Sequence, residues 1–378
     1  TRPEVPAVLP DCPSFTEVYQ ALHQRAPLRW QARLADEVAR EGWPEEIGVP
    51  TGLGKTATID IAVWALASQA HLDPAERRLP TRVWYVVDRR LLVDHASDQL
   101  VALANGIDQA RRDAPDSPLG RVAARLAHVG GGLGAPLHAS RMRGGATLGD
   151  RPLTPAQPAV ICSTVAMFGS RLLFRGFGCS NRLWSLDAAL AGIDSLVLLD
   201  EAHLAPPLMG LFDRLAACDA HRSAILAVPN GLAGPLDPPE PLVPPGRRRP
   251  QVVALTATGR AKDPFTLEGA DFDDEIVGRR LDAAKPTELV EGSMKRAATD
   301  LAAHAVRLLD AVAPTGAAVV FVNRPALARQ VARNLPDESK ADVVVLTGQL
   351  RDPDADRVRD HLRHPRTGCP AGGEPHRE

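Results

Sequence analysis

The feature that most narrows the fold is a set of short apolar runs, at residues 83–87, 159–162, 196–199, 252–255, 317–322 and 343–346. Their Val, Ile and Leu are nearly unbroken, whereas a strand with one wet face would alternate apolar with polar side chains. Each run is too short for a helix and reads as a strand covered on both faces. Helical periodicity fills the intervals at 57–70, 91–103, 208–226, 294–312 and 325–334. Strands alternating with helices predict an α/β fold, a doubly wound parallel sheet with helices on both faces. Such sheets bind ligands beyond the carboxyl ends of their strands.

One strand-to-helix junction has the chemistry for that. Residues 48–66 read GVPTGLGKTATIDIAVWAL. A glycine-containing turn that ends in Lys-Thr and feeds an apolar helix suits a phosphate. Its N–H groups converge on the anion, the helix N-terminus favours negative charge, and the lysine reaches the outer phosphates. Thr51, Gly52, Leu53, Gly54, Lys55 and Thr56 are the expected phosphate contacts. The strict spacing asks for a glycine where Val49 stands, and the same residues also read as a turn capping a core helix.

A phosphate loop needs a carboxylate on a neighbouring strand. The segment DSLVLLDEAHLAPP, from Asp194, supplies two at a strand end. Asp200 is expected to organise Mg²⁺, with Thr56 completing the shell, and Glu201 to orient and deprotonate the attacking water. An acidic N-cap is the plainer reading. Loop and strand-end acids together favour nucleotide hydrolysis.

Composition sets the limits. The 378 residues suffice for two domains, and 44% hydrophobic with 24% charged residues is an ordinary globular balance. A net charge of −2 gives no global basic field, so any nucleic-acid contact must come from a local face. Five scattered cysteines, none in C-x-x-C spacing, argue for a reducing, cytoplasmic setting without disulfides or structural zinc. No apolar run approaches the roughly 18 residues of a membrane span, so no membrane partner is expected. The expected domains are 1–285 and 286–378, divided where LDAAKPTEL precedes a new helix. Two excursions interrupt the first, a Gly-rich basic loop at about 130–150 with Arg141 and Arg143, and a proline-rich one at 228–250. The chain starts at Thr1, which reads as a fragment or processed form, and its tail after His364 reads as frayed.

Asp200-Glu201-Ala202-His203 after such a loop resembles the DEAH-type helicases of superfamily 2, and other stretches follow in the same order. The resemblance implies that Gln31, in WQARL, reads the adenine edge. It implies nucleic-acid contacts for Arg89 and Arg90 in YVVDRRLLVDHA, and for Ser163 and Thr164 in VICSTVAMFGSRLL. Thr256 and Thr258, in ALTATG, would couple hydrolysis to domain motion, with His203 linking them to the acidic motif. Plainer readings stand beside these: a surface amide for Gln31, solvated charges for the arginines, and a helix N-cap for Ser163 and Thr164.

The wording YVVDRRLLVDHA, SRLLFRGFG and LLDEAHLAPP is closest to the Cas3 helicases of type I CRISPR systems, subtype I-G (formerly I-U). That resemblance implies one complete RecA-like domain and the start of a second, carried by AAVVFVNRPALA and VVVLTGQLRD. It implies ATP and Mg²⁺ as cofactors, movement on single-stranded DNA, and an RNA-guided surveillance complex (Cascade) as partner. This sequence departs from the family in having Ala166-Met167 where Asp-Gln is usual, and in lacking a His-Asp dipeptide, so no HD nuclease activity is expected. Residues 352–378 contain no Gln-Gly-Arg helix, so the second domain reads as truncated and hydrolysis as weak. The alternatives are a general DEAH-type DNA or RNA helicase, and a nucleotide-binding helicase fragment.

Overall fold

In the computed structural model, which describes residues 9–74, 76–142, 152, 154–226, 249–256, 261–284, 286–311, 317–336, 343–347, 350, 354 and 357–358, the chain divides into two units. They are Thr1–Ala283 and Ala284–Glu378. The first holds a six-stranded sheet of β1 (Glu46–Ile47), β2 (Arg82–Val87), β3 (His138–Met142), β4 (Ala159–Thr164), β5 (Ser195–Asp200) and β6 (Gln251–Leu255). The strand order is β1-β6-β5-β2-β4-β3 and every pairing is parallel. Strands β2 and β4 are buried at every residue, as unbroken apolar runs require.

Side chains leave the sheet alternately. Val83, Tyr85 and Val87 enter a core with α1 (Phe15–His23), α2 (Arg29–Glu41), α3 (Thr58–Ser68), α4 (Arg90–Asp113) and α5 (Pro118–Val129). Trp84 and Val86 enter the opposite core with α6 (Val165–Leu172), α7 (Trp184–Gly192) and α8 (Pro206–Leu226). Full burial of a side chain such as Phe168 or Leu100 is worth about 1.5–3 kcal/mol. Helices cover both faces, so the fold is the doubly wound α/β sheet. Arg82 opens a buried strand because its guanidinium caps the end of α7, donating to Leu190 O at 3.1 Å and Ile193 O at 2.5 Å. Two short helices, α9 (Gly269–Phe272) and α10 (Glu275–Leu281), close the first unit.

The runs at 83–87, 159–162, 196–199 and 252–255 are β2, β4, β5 and β6. Two expectations need correction, and one short strand was not foreseen. The stretch read as a loop from residue 130 contains β3, which among the described residues is an edge strand pairing only with β4, and is half-buried throughout. Its sequence, HASRM, carries no apolar run because one side of the strand has no neighbour. Strand β1 is two residues long, too short for any pattern. Among the described residues, 317–322 and 343–347 form no strand, and Val319 and Phe321 are exposed. An apolar run becomes a strand only where a neighbour takes its backbone hydrogen bonds. The second unit is instead built on α11 (Ala297–Ala311) and α12 (Pro325–Asn334), which pack together and bury Ala302, Ala305 and Val331. Most of the proline-rich excursion, residues 227–248, lies outside the described residues.

Candidate nucleotide site

Strand β1 leads through the buried Val49 into the glycine turn. Gly52 and Gly54 have φ of +88° and +77°, conformations that a side chain would strain. A Cβ on Gly54 would also stand 2.9 Å from Gln31 Nε2. Three successive carbonyls of the turn are held from outside it. The Arg280 guanidinium of α10 donates to Gly52 O. Trp30 Nε1 donates to Leu53 O at 3.2 Å, and Gln31 Nε2 to Gly54 O at 3.1 Å. Behind that clamp, the single turn Lys55–Ala57 starts the run into α3. The N–H groups of Lys55 and Thr56 open this turn, where no helical carbonyl precedes them.

Lys55 is buried, and its Nζ has no hydrogen-bond partner among the described residues. Its nearest acid is Glu201, with Oε1 at 3.6 Å, an ion pair but not a hydrogen bond. Burying an ammonium without satisfying its donors is costly. A phosphate oxygen would satisfy them.

Strand β6 separates β1 from β5, so the turn and the end of β5 face each other across one strand width. Asp200 ends β5 with both carboxylate oxygens engaged. Oδ2 accepts from the Tyr85 hydroxyl at 3.0 Å, and Oδ1 from the Glu201 N–H at 3.1 Å. Burial raises the Asp200 carboxyl above the ordinary aspartate range. The Tyr85 hydrogen bond and the Lys55 charge oppose that rise, and the Glu201 charge adds to it. Burial first, and the Asp200 charge next, push the Tyr85 phenol well above its usual value, so it stays a donor. The Thr56 side chain, close to the same phenol, works against that rise.

Glu201 sits at φ +48°, left-handed for a residue with a side chain. This conformation sets its carboxylate between Lys55 and His203, whose Nδ1 is 3.4 Å from Oε2. His203 Nδ1 is in turn 3.3 Å from Thr256 Oγ1, just past β6. Lys55, Glu201, His203 and Thr256 thus form one connected row across the carboxyl ends of β1, β5 and β6.

The other expected site residues fall elsewhere. Gln31 is 2% exposed and uses both ends of its amide, with Oε1 accepting from Leu28 N–H at 2.9 Å. Ser163 is buried and donates to Thr164 O at 3.1 Å. Thr164 Oγ1 accepts from Met167 N–H at 3.3 Å as the N-cap of α6. Arg89 is exposed, 4.0 Å from Asp88, while Arg90 opens α4. The side chain of Arg90, and Thr258 altogether, lie outside the described residues. Sequence reasoning missed Trp30, Tyr85 and Arg280. Tyr85 carried a signal, a hydroxyl in a strand otherwise apolar, since a buried phenol needs a partner. Arg280 carried none.

Among the described residues no three His, Cys, Asp or Glu side chains gather as a metal cage. The carboxylate of Asp200 and the hydroxyl of Thr56 are oxygen donors of the kind that Mg²⁺ takes. Among the described residues no helix is long and apolar enough to cross a membrane.

Fold and site together define a class: a parallel α/β protein with a glycine turn, running into a helix, beside a strand that ends in Asp200 and is followed by Glu201. No family model matches the chain, and no curated protein matches it by sequence. Among solved structures it is similar to a variant of S. cerevisiae Dbp5 bound to RNA and ADP BeF3, at 14% identity and a TM-score of 0.44, over 93% of this chain and 71% of that one. Likeness at that level bears on neither ligand nor activity.

Proposed function

We propose that the chain binds Mg²⁺–ATP and hydrolyses it as a helicase-type motor on nucleic acid. The observation that carries this reading is the buried Lys55 ammonium, unsatisfied beside the carboxylates of β5. Lys55 and the N–H groups of the turn would grip the outer phosphates. Thr56 and Asp200 would hold Mg²⁺, which when bound neutralises charge on the β- and γ-phosphates. Glu201 would take the proton of the attacking water, its carboxylate aimed by Lys55 on one side and His203 on the other. The His203–Thr256 contact would pass a change at that carboxylate to the end of β6. Gln31, spent on the backbone at both ends, would serve the site by holding the turn rather than by reading the base.

The finer reading is an ATP-driven translocase on single-stranded DNA in type I CRISPR interference, with the surveillance complex as partner. It is supported by the wording of YVVDRRLLVDHA, SRLLFRGFG and LLDEAHLAPP, and the scattered cysteines support a cytoplasmic setting. The second unit is read as the opening of a second RecA-like domain.

Titration with a fluorescent ATP analogue tests the reading. Lys55→Ala is expected to weaken binding at least about 10-fold, the loss of a charge-assisted contact worth roughly 1.5–3 kcal/mol. Equal affinity for both proteins would remove the nucleotide assignment. Phosphate release with and without single-stranded DNA or RNA then separates the finer readings, since equal stimulation by RNA favours a general DEAH-type helicase.

A further inference from the structure

The connection between α6 and α7 displays large apolar side chains that the site above does not use. Leu173, Phe174 and Phe177 are 56%, 56% and 57% exposed. Helix α6 ends in a closed turn: Arg175 N–H donates to Ser170 O at 2.7 Å, and Phe174 N–H to Arg171 O at 3.0 Å. That pair of bonds needs a left-handed residue, usually glycine, at the place where Phe174 stands with φ +57°. Glycines follow at Gly176 and Gly178, yet the strained position holds a phenylalanine turned to solvent. Strain of this kind persists only where the surroundings impose it, and an observed outlier is a reason to look for function.

The surroundings do impose it. Phe177 N–H donates to Ser170 Oγ at 3.3 Å, Cys179 N–H to Gly176 O at 3.2 Å, and Arg171 Nη2 to Cys179 Sγ at 3.6 Å. The two rings are therefore presented from a pinned segment. The charge along this stretch has one sign. From Leu172 to Leu186 there are two arginines, Arg175 and Arg182, and no acid, in a chain whose net charge is −2. Arg175 and Arg182 are exposed, and Asp187, the next acid, is buried.

We propose that residues 173–182 form a stacking platform for unpaired nucleotides, with Phe174 and Phe177 receiving base faces and Arg175 and Arg182 meeting phosphates. Exposed aromatic rings among arginines, without acids, suit single-stranded nucleic acid, because every base has a face to stack and every link a charge. The proposal rests on the nucleic-acid reading above and names the surface that carries it.

The test uses the full chain and fluorescence anisotropy, with labelled oligothymidylate of about 12 nucleotides and an abasic oligomer of equal length. Phe174→Ala/Phe177→Ala is expected to weaken oligothymidylate binding by about 5- to 150-fold per ring, leaving abasic binding within about 2-fold. Phe174→Trp/Phe177→Trp restores the rings and is expected to keep wild-type affinity. Arg175→Gln/Arg182→Gln is expected to flatten the slope of log affinity against log salt by about 1.4, roughly 0.7 for each phosphate no longer neutralised. Unchanged oligothymidylate affinity in the alanine variant, or an unchanged slope in the glutamine variant, overturns the platform while the wild type still binds and the motor reading stands. A wild type that binds neither oligomer overturns both. Light scattering that shows the alanine variant dissociating a dimer, with oligothymidylate affinity unchanged, assigns the face to a second copy of the chain and overturns the platform.

Discussion

Asp200 and Glu201 are neighbours with different duties, and their surroundings say so. Asp200 has a raised carboxyl, burial being the main cause. A raised acid favours folding fully only below its unfolded value, about 3.9, and that contribution is lost as pH rises through the folded value. At neutral pH the ionised Asp200 thus weighs against the ligand-free fold. Asp200→Asn is expected to raise the melting temperature of the nucleotide-free protein at pH 7, with the gap to wild type shrinking toward pH 4. The same variant is expected to lose the Mg²⁺-dependent part of its nucleotide affinity. A lowered melting temperature at pH 7 would show that the Tyr85 and Lys55 contacts outweigh burial. Glu201 is better placed to handle a proton, because its oxygens face Lys55 and His203 rather than backbone. Glu201→Gln keeps the shape without the basicity. It is expected to cut phosphate release by about 10²- to 10⁴-fold while nucleotide affinity stays within a few-fold. Unchanged turnover would take the base role from Glu201.

The glycine turn is the element on which the site depends, and it is held by groups distant in sequence. Gly54→Ala meets two obstacles, a φ of +77° and the Gln31 amide 2.9 Å from the new Cβ. It is expected to cost about 1–3 kcal/mol of stability and to abolish nucleotide binding, read by thermal melting beside analogue titration. Trp30→Phe keeps an aromatic ring but drops the N–H that Leu53 O accepts. The expected cost is about 0.5–1.5 kcal/mol, with faster amide exchange across residues 51–56. Exchange unchanged there would mean that Gln31 and Arg280 hold the turn alone. These contacts also mark where sequence reading stops. Apolar runs gave four strands because a doubly covered strand must be apolar whatever its partners. The turn and the acids at the end of β5 were legible as a pattern, Gly-x-Gly-Lys-Thr before a helix and Asp-Glu after an apolar run, and the structure brings Lys55 and Glu201 together. Strand β3 escaped because an edge strand needs no apolar pattern. The run at 317–322 misled because pairing, unlike hydrophobicity, belongs to the neighbour. Gln31 was singled out by the helicase resemblance of WQARL, but its geometry shows it serving the backbone. Arg280, 228 residues from its partner Gly52, left no trace in local sequence.

Across the whole molecule, the candidate chemistry is confined to one unit. Gln31, Lys55, Thr56, Tyr85, Asp200, Glu201, His203, Thr256 and Arg280 all precede the division between Ala283 and Ala284. Among the described residues, both cores flanking the sheet also draw only on residues before it. Binding and turnover should therefore respond differently to removal of the second unit. Residues 1–283 alone are expected to bind the fluorescent ATP analogue within about 3-fold of the full chain, a difference under roughly 0.7 kcal/mol. Hydrolysis makes a further demand, because charge develops on the transferred phosphoryl group and arginines that meet it are worth roughly 10³–10⁵ in rate. Within the first unit, the cation seen beside Glu201 is Lys55. The shortened protein is expected to bind normally, and comparing its phosphate release with that of the full chain reads what residues 284–378 add to turnover. Equal turnover in the two would mean that residues 284–378 contribute nothing to the reaction. A collapse of affinity in the shortened protein would move part of the nucleotide site out of the first unit, and the confinement argued here would fail.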